Sequence, residues 1–297
     1  MKKKIKLGLI GLSKGNGHPY SWSAIINGYN KQLIRKCGFP VIPKYLEEKK
    51  FPDDQIKGAE VTHIWTQDLN ISNYIAKTTY ISKVVKNYKD LLGKVDAILL
   101  ARDDAENHLK YSKPFLENNL PIYIDKPLAF NVKNAKKLFS LQKYDGQIFS
   151  CSALRYSKHF QLNKKQKKKI GQIISIHAFV PKDWDKYSVH VIDPILAMIP
   201  NLGTIKEYKK IKVGEQTMLS VKYKNNILLS ILSTGQNQTP INIRIIGKKG
   251  LLDLFPNDTF NCFKSALNNF ISSIKNKKKK IPNENTLKII KLIEMGR

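Results

Sequence analysis

Two short stretches of this sequence bring together side chains able to move protons and charge. Ile124-Asp125-Lys126-Pro127-Leu128-Ala129 follows an apolar run, and a lysine at the carboxyl end of such a strand is well placed to meet a ligand. In Trp184-Asp185-Lys186-Tyr187-Ser188-Val189-His190-Val191-Ile192-Asp193-Pro194, Lys186 and His190 are four residues apart and share a face if the stretch is helical. Histidine exchanges its proton near neutral pH, and Asp193 could hold the imidazole in one tautomer. A third stretch, Gly8-Leu9-Ile10-Gly11-Leu12-Ser13-Lys14-Gly15-Asn16-Gly17, suits the approach of a phosphate to backbone N–H groups. Against the spacing G-x-G-x-x-G, Gly11 takes the first position, while Ser13 and Asn16 take the second and third. Gly15 and Gly17 then suggest a longer, rebuilt loop. Singly, each stretch also reads as something ordinary: a strand–helix turn, a solvated lysine before a turn proline, a core histidine.

The elements needed to position these residues are visible as apolar runs. Ile5 to Ile10, Val61 to Trp65, Ile81 to Val85, Val95 to Leu100 and Pro121 to Ile124 read as strands. Helical stretches at Ser21 to Tyr29 and Ala105 to Asn118 fall among them, which predicts a parallel sheet covered on both faces. Asn30 to Glu60, with Pro40, Pro43 and Pro52, reads as an irregular insertion. After Pro127 the texture changes. Gln147 to Cys151, Ile173 to Val180, Ile211 to Val213, Met218 to Tyr223, Ile227 to Leu232 and Ile241 to Ile246 are β-rich runs joined by short turns. Phe260, Phe263, Leu267, Phe270, Ile271 and Ile274 recur at helical spacing and read as core packing. The expected fold is an α/β Rossmann-type N-terminal domain over 1–127 and a C-terminal α+β domain over 128–297, the latter on a mostly antiparallel open sheet. Ile241, Ile243 and Ile245 line one face of that sheet, while Ile227-Leu228-Leu229 and Ile231-Leu232 are apolar on both. Two apolar faces need two partners, so a homodimer or homotetramer is expected.

The 297 residues carry 52 lysines and arginines against 23 aspartates and glutamates, a formal net charge of +29. Only five of those cations are arginines (35, 102, 155, 244 and 297), so the fork used to read base edges is scarce. The lysines are scattered, with runs at 164–169 and 277–280. This reads as codon bias rather than a nucleic-acid groove, although attraction to anionic ligands follows from the charge. Cys37, Cys151 and Cys262 are too few and too widely spaced for a disulfide framework or a zinc knuckle. No apolar run reaches the ~20 residues of a membrane helix. Lys6 interrupts the apolar N-terminus, which reads as a first strand and not a secretory leader. A cytoplasmic setting without metal is expected.

The order of the three stretches resembles the Gfo/Idh/MocA (glucose–fructose oxidoreductase, inositol dehydrogenase and rhizopine catabolism) family. The Val95-Asp96-Ala97 strand start, His108 after that strand and the Arg155-Tyr156 pair add to the likeness. The resemblance implies an NAD- or NADP-dependent oxidoreductase acting on a sugar, cyclitol or nucleotide-sugar. It implies that Lys126 hydrogen-bonds the reacting hydroxyl beside the nicotinamide and that His190 is the general acid/base. It places Lys186 in the same pocket, as a second base or an anion clamp. Gly11, Ser13, Gly15, Asn16, Asp68, Arg102 and Lys126 are the expected cofactor residues, with Asp68 at the adenosine ribose. Arg155, Tyr156, Tyr187 and Asp193 are the expected substrate residues. Three departures stand out: Asp125 replaces the family's glutamate, Ser13 and Asn16 interrupt the glycine fingerprint, and Lys186 stands where an aspartate is usual. These departures also suit a family member that binds nucleotide without turnover. The charge alone would suit a nucleic-acid binder.

Overall fold

The computed structural model describes residues 4–276 and 279–297; the first three residues and part of the second lysine run lie outside them. The chain forms two compact units. The first comprises Met1–Ala129, Asn134–Ser150 and Phe263–Asn283; the second comprises Phe130–Lys133, Cys151–Cys262 and Glu284–Arg297. The division therefore differs from a single cut after residue 127, because two later segments return to the first unit.

In chain order the first unit's strands and helices are β1 (Ile5–Ile10), α1 (His18–Asn27), α2 (Lys31–Ile34), α3 (Val41–Glu47), β2 (Ala59–Trp65), α4 (Leu69–Thr78), β3 (Lys83–Val84), β4 (Ala97–Leu100), α5 (His108–Glu117), β5 (Ile122–Ile124), α6 (Val132–Ser140) and β6 (Ile148–Phe149). Six parallel strands lie in the order β3-β2-β1-β4-β5-β6, the doubly wound Rossmann arrangement. Strands covered on both faces need unbroken apolar sequence, and every residue of β4 and β5 is buried.

Two local expectations fail for physical reasons. The proline-bearing insertion contains α2 and α3: Asn30 caps α2 by accepting from the amides of Gln32 and Leu33, and Pro40 precedes α3 where no N–H is needed. The run around Ile148 joins the first sheet, in register with β5 through Ile122 and Ile148. It had read as part of the second domain because a two-residue strand carries no sign of its partner.

The second unit contains α7 (Lys164–Ile170), β7 (Ile173–Val180), α8 (Trp184–Tyr187), α9 (Val189–Met198), β8 (Ile205–Val213), β9 (Gln216–Tyr223), β10 (Leu228–Ser233), β11 (Asn242–Gly247) and β12 (Gly250–Leu254). Helix α10 (Thr259–Asn276) lies mostly in the first unit, where Phe270 packs on Tyr123 and Phe149. Helix α11 (Asn283–Gly296) ends the chain in the second. The second sheet runs β12-β11-β7-β10-β9-β8 and is antiparallel except for the β10–β7 pair. Strand β12 went unread because its glycine start looks like the end of a turn. Along β10 the inner face is Leu229 and Ile231, whereas the outer face alternates Leu228, Ser230 and Leu232, so it is only partly apolar. Among the described residues no helix is long and apolar enough to cross a membrane.

The β11–β12 turn lies directly under the end of α7. A methyl group on Gly247 would stand 2.2 Å from the Ile170 carbonyl oxygen, whereas one on Gly250 would stand 3.4 Å from that of Lys169. Backbone cannot yield as a flexible side chain does. Gly247→Ala should therefore destabilise the protein by about 1–3 kcal/mol in urea unfolding, while Gly250→Ala should change far less.

Candidate functional site

In open parallel sheets ligands gather at the carboxyl ends of the strands. Here those ends are tied together by buried carboxylates. Beyond β4, Asp103 accepts from the Ser13 hydroxyl (2.7 Å), and its own amide donates back to Ser13 Oγ (3.1 Å). Beyond β5, Asp125 accepts from the Asn16 amide (2.8 Å) and meets His18 Nδ1 with the same oxygen. Asn16 Oδ1 in turn accepts from the His18 amide (2.8 Å), so the start of α1 is capped from its own turn. Lys126 is 5% exposed, and its ammonium lies 3.6 Å from Asp103. Ser13 and Asn16 thus fill two fingerprint positions by turning inward onto carboxylates.

Arg102 was expected to touch the cofactor, but its guanidinium is engaged within the unit. It forms a fork with both oxygens of Asp104 (2.9 and 2.6 Å) and donates to Leu12 O and Gln67 Oε1. It holds the turn from the other side. Burial disfavours the charged form of Asp104, but the Arg102 fork and the Asn107 amide prevail and hold its carboxyl below the usual range. Asp68 is exposed, and its Oδ1 caps α4 through the amides of Asn70 and Ile71. Gly11 lies under Pro19, whose ring carbon would stand 2.5 Å from an added methyl, so this glycine serves packing against α1. A valine there would meet the Pro19 ring and disturb the packing of α1.

Gly15 is different: φ is +78°, it is exposed, and nothing lies within 4 Å of where a side chain would begin. The Lys14 and Gly15 amides make no hydrogen bond among the described residues. In the first turn of α1, by contrast, the His18 amide is capped by Asn16 and Pro19 has none. The open backbone donors beside an exposed lysine suit a phosphate, and they lie at the tip of the turn rather than in the helix. No group of three or more His, Cys, Asp or Glu among the described residues could hold a metal ion.

In the second unit, His190 opens α9 as expected, but Asp193 does not hold it. Asp193 is fully buried; it accepts from the Ser152 amide (2.7 Å), and its other oxygen lies 3.0 Å from Arg155 Nε. The imidazole instead meets Ser152, with Oγ 3.0 Å from Nδ1. The Arg155 guanidinium, expected at the substrate, is mostly enclosed and lies beside this carboxylate. Burial pushes the Asp193 carboxyl above its usual range, opposed by Arg155 and the Ser152 amide. Tyr187 stands edge-on to His190 at 5.3 Å and accepts from Lys182 Nζ (2.6 Å). Tyr156 is half-buried, and burial raises its phenol. The backbone of Lys186 donates to Asp183, which caps α8. Lys126 belongs to the first unit; Lys186 and His190 belong to the second.

Sequence reasoning passed over Ser152, Asp103, Asp104 and His18. Asp103-Asp104 lies three and four residues past the end of an apolar strand, which is the signal that would have singled it out.

Residues 42–152 match the model of an oxidoreductase family with an NAD-binding Rossmann fold, Gfo/Idh/MocA. No curated protein sequence matches the chain. Among solved structures, myo-inositol 2-dehydrogenase from Lactobacillus plantarum is similar with a TM-score of 0.73 at 13% identity, over 98% of this chain and 96% of that one. Scyllo-inositol dehydrogenase from Lactobacillus casei, with bound NAD(H) and scyllo-inositol, gives 0.71 at 15% identity, over 98% and 95%. UDP-N-acetylglucosamine 3-dehydrogenase from Acidithiobacillus ferrooxidans gives 0.72 at 10% identity, over 99% and 97%. At these identities the likeness is one of fold.

Arg155→Leu would leave Asp193 buried without its counter-charge and should cost about 3–5 kcal/mol at neutral pH. A carboxyl whose folded value lies above its unfolded one loses stability as pH rises through the interval between them. Urea unfolding should therefore show the Arg155→Leu deficit shrinking as the pH is lowered from neutral into the acid range, where Asp193 takes up its proton.

Proposed function

We propose, from the premise that this chain is a member of the Gfo/Idh/MocA oxidoreductase family, that it is an NAD- or NADP-dependent dehydrogenase acting on a hydroxyl or keto carbon of a sugar, cyclitol or nucleotide-sugar. The observation that carries this reading is Lys126, a buried lysine past β5 that Asp103 links to the turn after β1. The tip amides of Lys14 and Gly15 would take the diphosphate, and Asp68 the adenosine ribose. The bound cofactor supplies the hydride acceptor or donor. His190 moves the carbinol proton, with its ring held by Ser152 and, through the Ser152 amide, by Asp193. Lys126 stabilises the alkoxide electrostatically. Tyr156 and Tyr187 contact the substrate, and Lys186 acts as a second base or as a clamp for an anionic substrate group.

The exposed Phe179, Leu228 and Ile211 on the outer face of the second sheet support a homodimer or homotetramer formed through that face. Three buried cysteine thiols suit a cytoplasmic setting. The Arg102 guanidinium and the first turn of α1 are both engaged internally. These two observations favour a second reading, a nucleotide-binding family member without turnover.

Nicotinamide fluorescence decides between them. Wild-type protein should saturate with NADH or NADPH, and turnover should appear with a panel of cyclitols and nucleotide-sugars. His190→Gln should then lower kcat by about 10²- to 10⁴-fold with cofactor binding retained. Binding without any turnover would favour the second reading, and absence of binding would exclude both.

A further inference from the structure

The second unit contains a cavity of about 460 Å³ where α9, the 200–205 segment, β9 and α11 meet. That volume lies within the ~300–1,000 Å³ of small-molecule sites. Its walls include Leu196, Leu202 and Leu292, and the last two are 2% exposed. Two features mark it as more than a packing gap.

The first is Tyr223, which reaches the cavity from the inner face of β9 and is 3% exposed. Its hydroxyl makes no hydrogen bond among the described residues, and burial pushes its phenol up to about 12. The ring is buried, but the hydroxyl is not among the enclosed atoms left without a partner, so its oxygen is the part of Tyr223 open to a ligand in the cavity. The second feature is the pair Lys288 and Lys291 at the cavity edge. Three residues apart on α11, they lie on one side of the helix, and both are exposed. Neither forms an ion pair among the described residues, so both ammonium groups can meet an anion at the cavity edge.

We propose that this cavity binds an amphipathic monocarboxylate, with its hydrocarbon body between Leu196, Leu202 and Leu292, its carboxylate at Lys288 and Lys291, and one oxygen within reach of the Tyr223 hydroxyl. The apolar walls exclude a fully hydrophilic anion, and the lysine pair disfavours a neutral lipid. The site does not depend on the dehydrogenase reading.

Isothermal titration of the full chain with octanoate, octan-1-ol and acetate tests the proposal. Octanoate should bind at least about tenfold more tightly than either of the others, since only it offers both body and charge. The double variant Lys288→Glu, Lys291→Glu alters exposed side chains and should retain the wild-type melting curve while losing that preference. Tyr223→Phe should weaken octanoate severalfold. Equal affinity for octanoate and octan-1-ol, absence of octanoate binding, or octanoate affinity unchanged in the charge-reversed variant would overturn the assignment.

Discussion

Two carboxylates buried at the carboxyl ends of adjacent strands need partners, and satisfying them organises the first unit. Asp103 takes the Ser13 hydroxyl and stands beside the Lys126 ammonium; Asp125 takes the Asn16 amide and the His18 ring. Hydrogen bonds to a charged group are worth about 1.5–3 kcal/mol, and a buried charge stripped of its partner costs about 3–5 kcal/mol. The turn after β1 is therefore held by bonds that reach across the sheet, while Gly11 and Gly17 allow close packing and Gly15 takes the positive φ. Its tip at Lys14-Gly15 stays open because the bonding falls on either side of it. The departure from a glycine fingerprint and the unusual buried carboxylates are one arrangement seen from two ends.

The second unit applies the same constraint. Asp193 is fully buried, so it must be paired, and its partners are the Ser152 amide and Arg155. That fixes Ser152, whose hydroxyl then meets His190. The aspartate thus acts on the imidazole through the serine rather than by touching it. In both units a group suited to chemistry, Lys126 or His190, is positioned by a buried carboxylate that is itself anchored to backbone or turn. In both, the arginine that looked available for a ligand pairs with an aspartate of its own unit, Arg102 with the half-buried Asp104 and Arg155 with Asp193.

Much of this architecture is legible in the sequence because apolar runs report burial directly. The run from Ile5 to Ile10 appears unchanged as β1, and Ile173 to Val180 as β7. What could not be read was pairing over long separations. Nothing near Ser13 announces Asp103, and nothing near Ile148 announces Ile122. The H-x-x-D spacing suggested that Asp193 would reach His190, since i and i+3 are neighbours on a helix. The Ser152 amide and the Arg155 charge compete for that carboxylate and prevail, because a fully buried anion is stabilised most by a hydrogen-bond donor beside a counter-charge. The proline-rich stretch misled for the opposite reason: local capping by Asn30 outweighed a composition that favours turns.

Amide hydrogen exchange in wild type and Asp125→Ala measures the dependence of the turn on its carboxylate most directly. The amides of Asn16 and His18 should exchange at least about tenfold faster in the variant, while Leu9 in β1 and Leu99 in β4 keep their wild-type protection. Unchanged protection at Asn16 and His18, with the strands intact, would contradict the account.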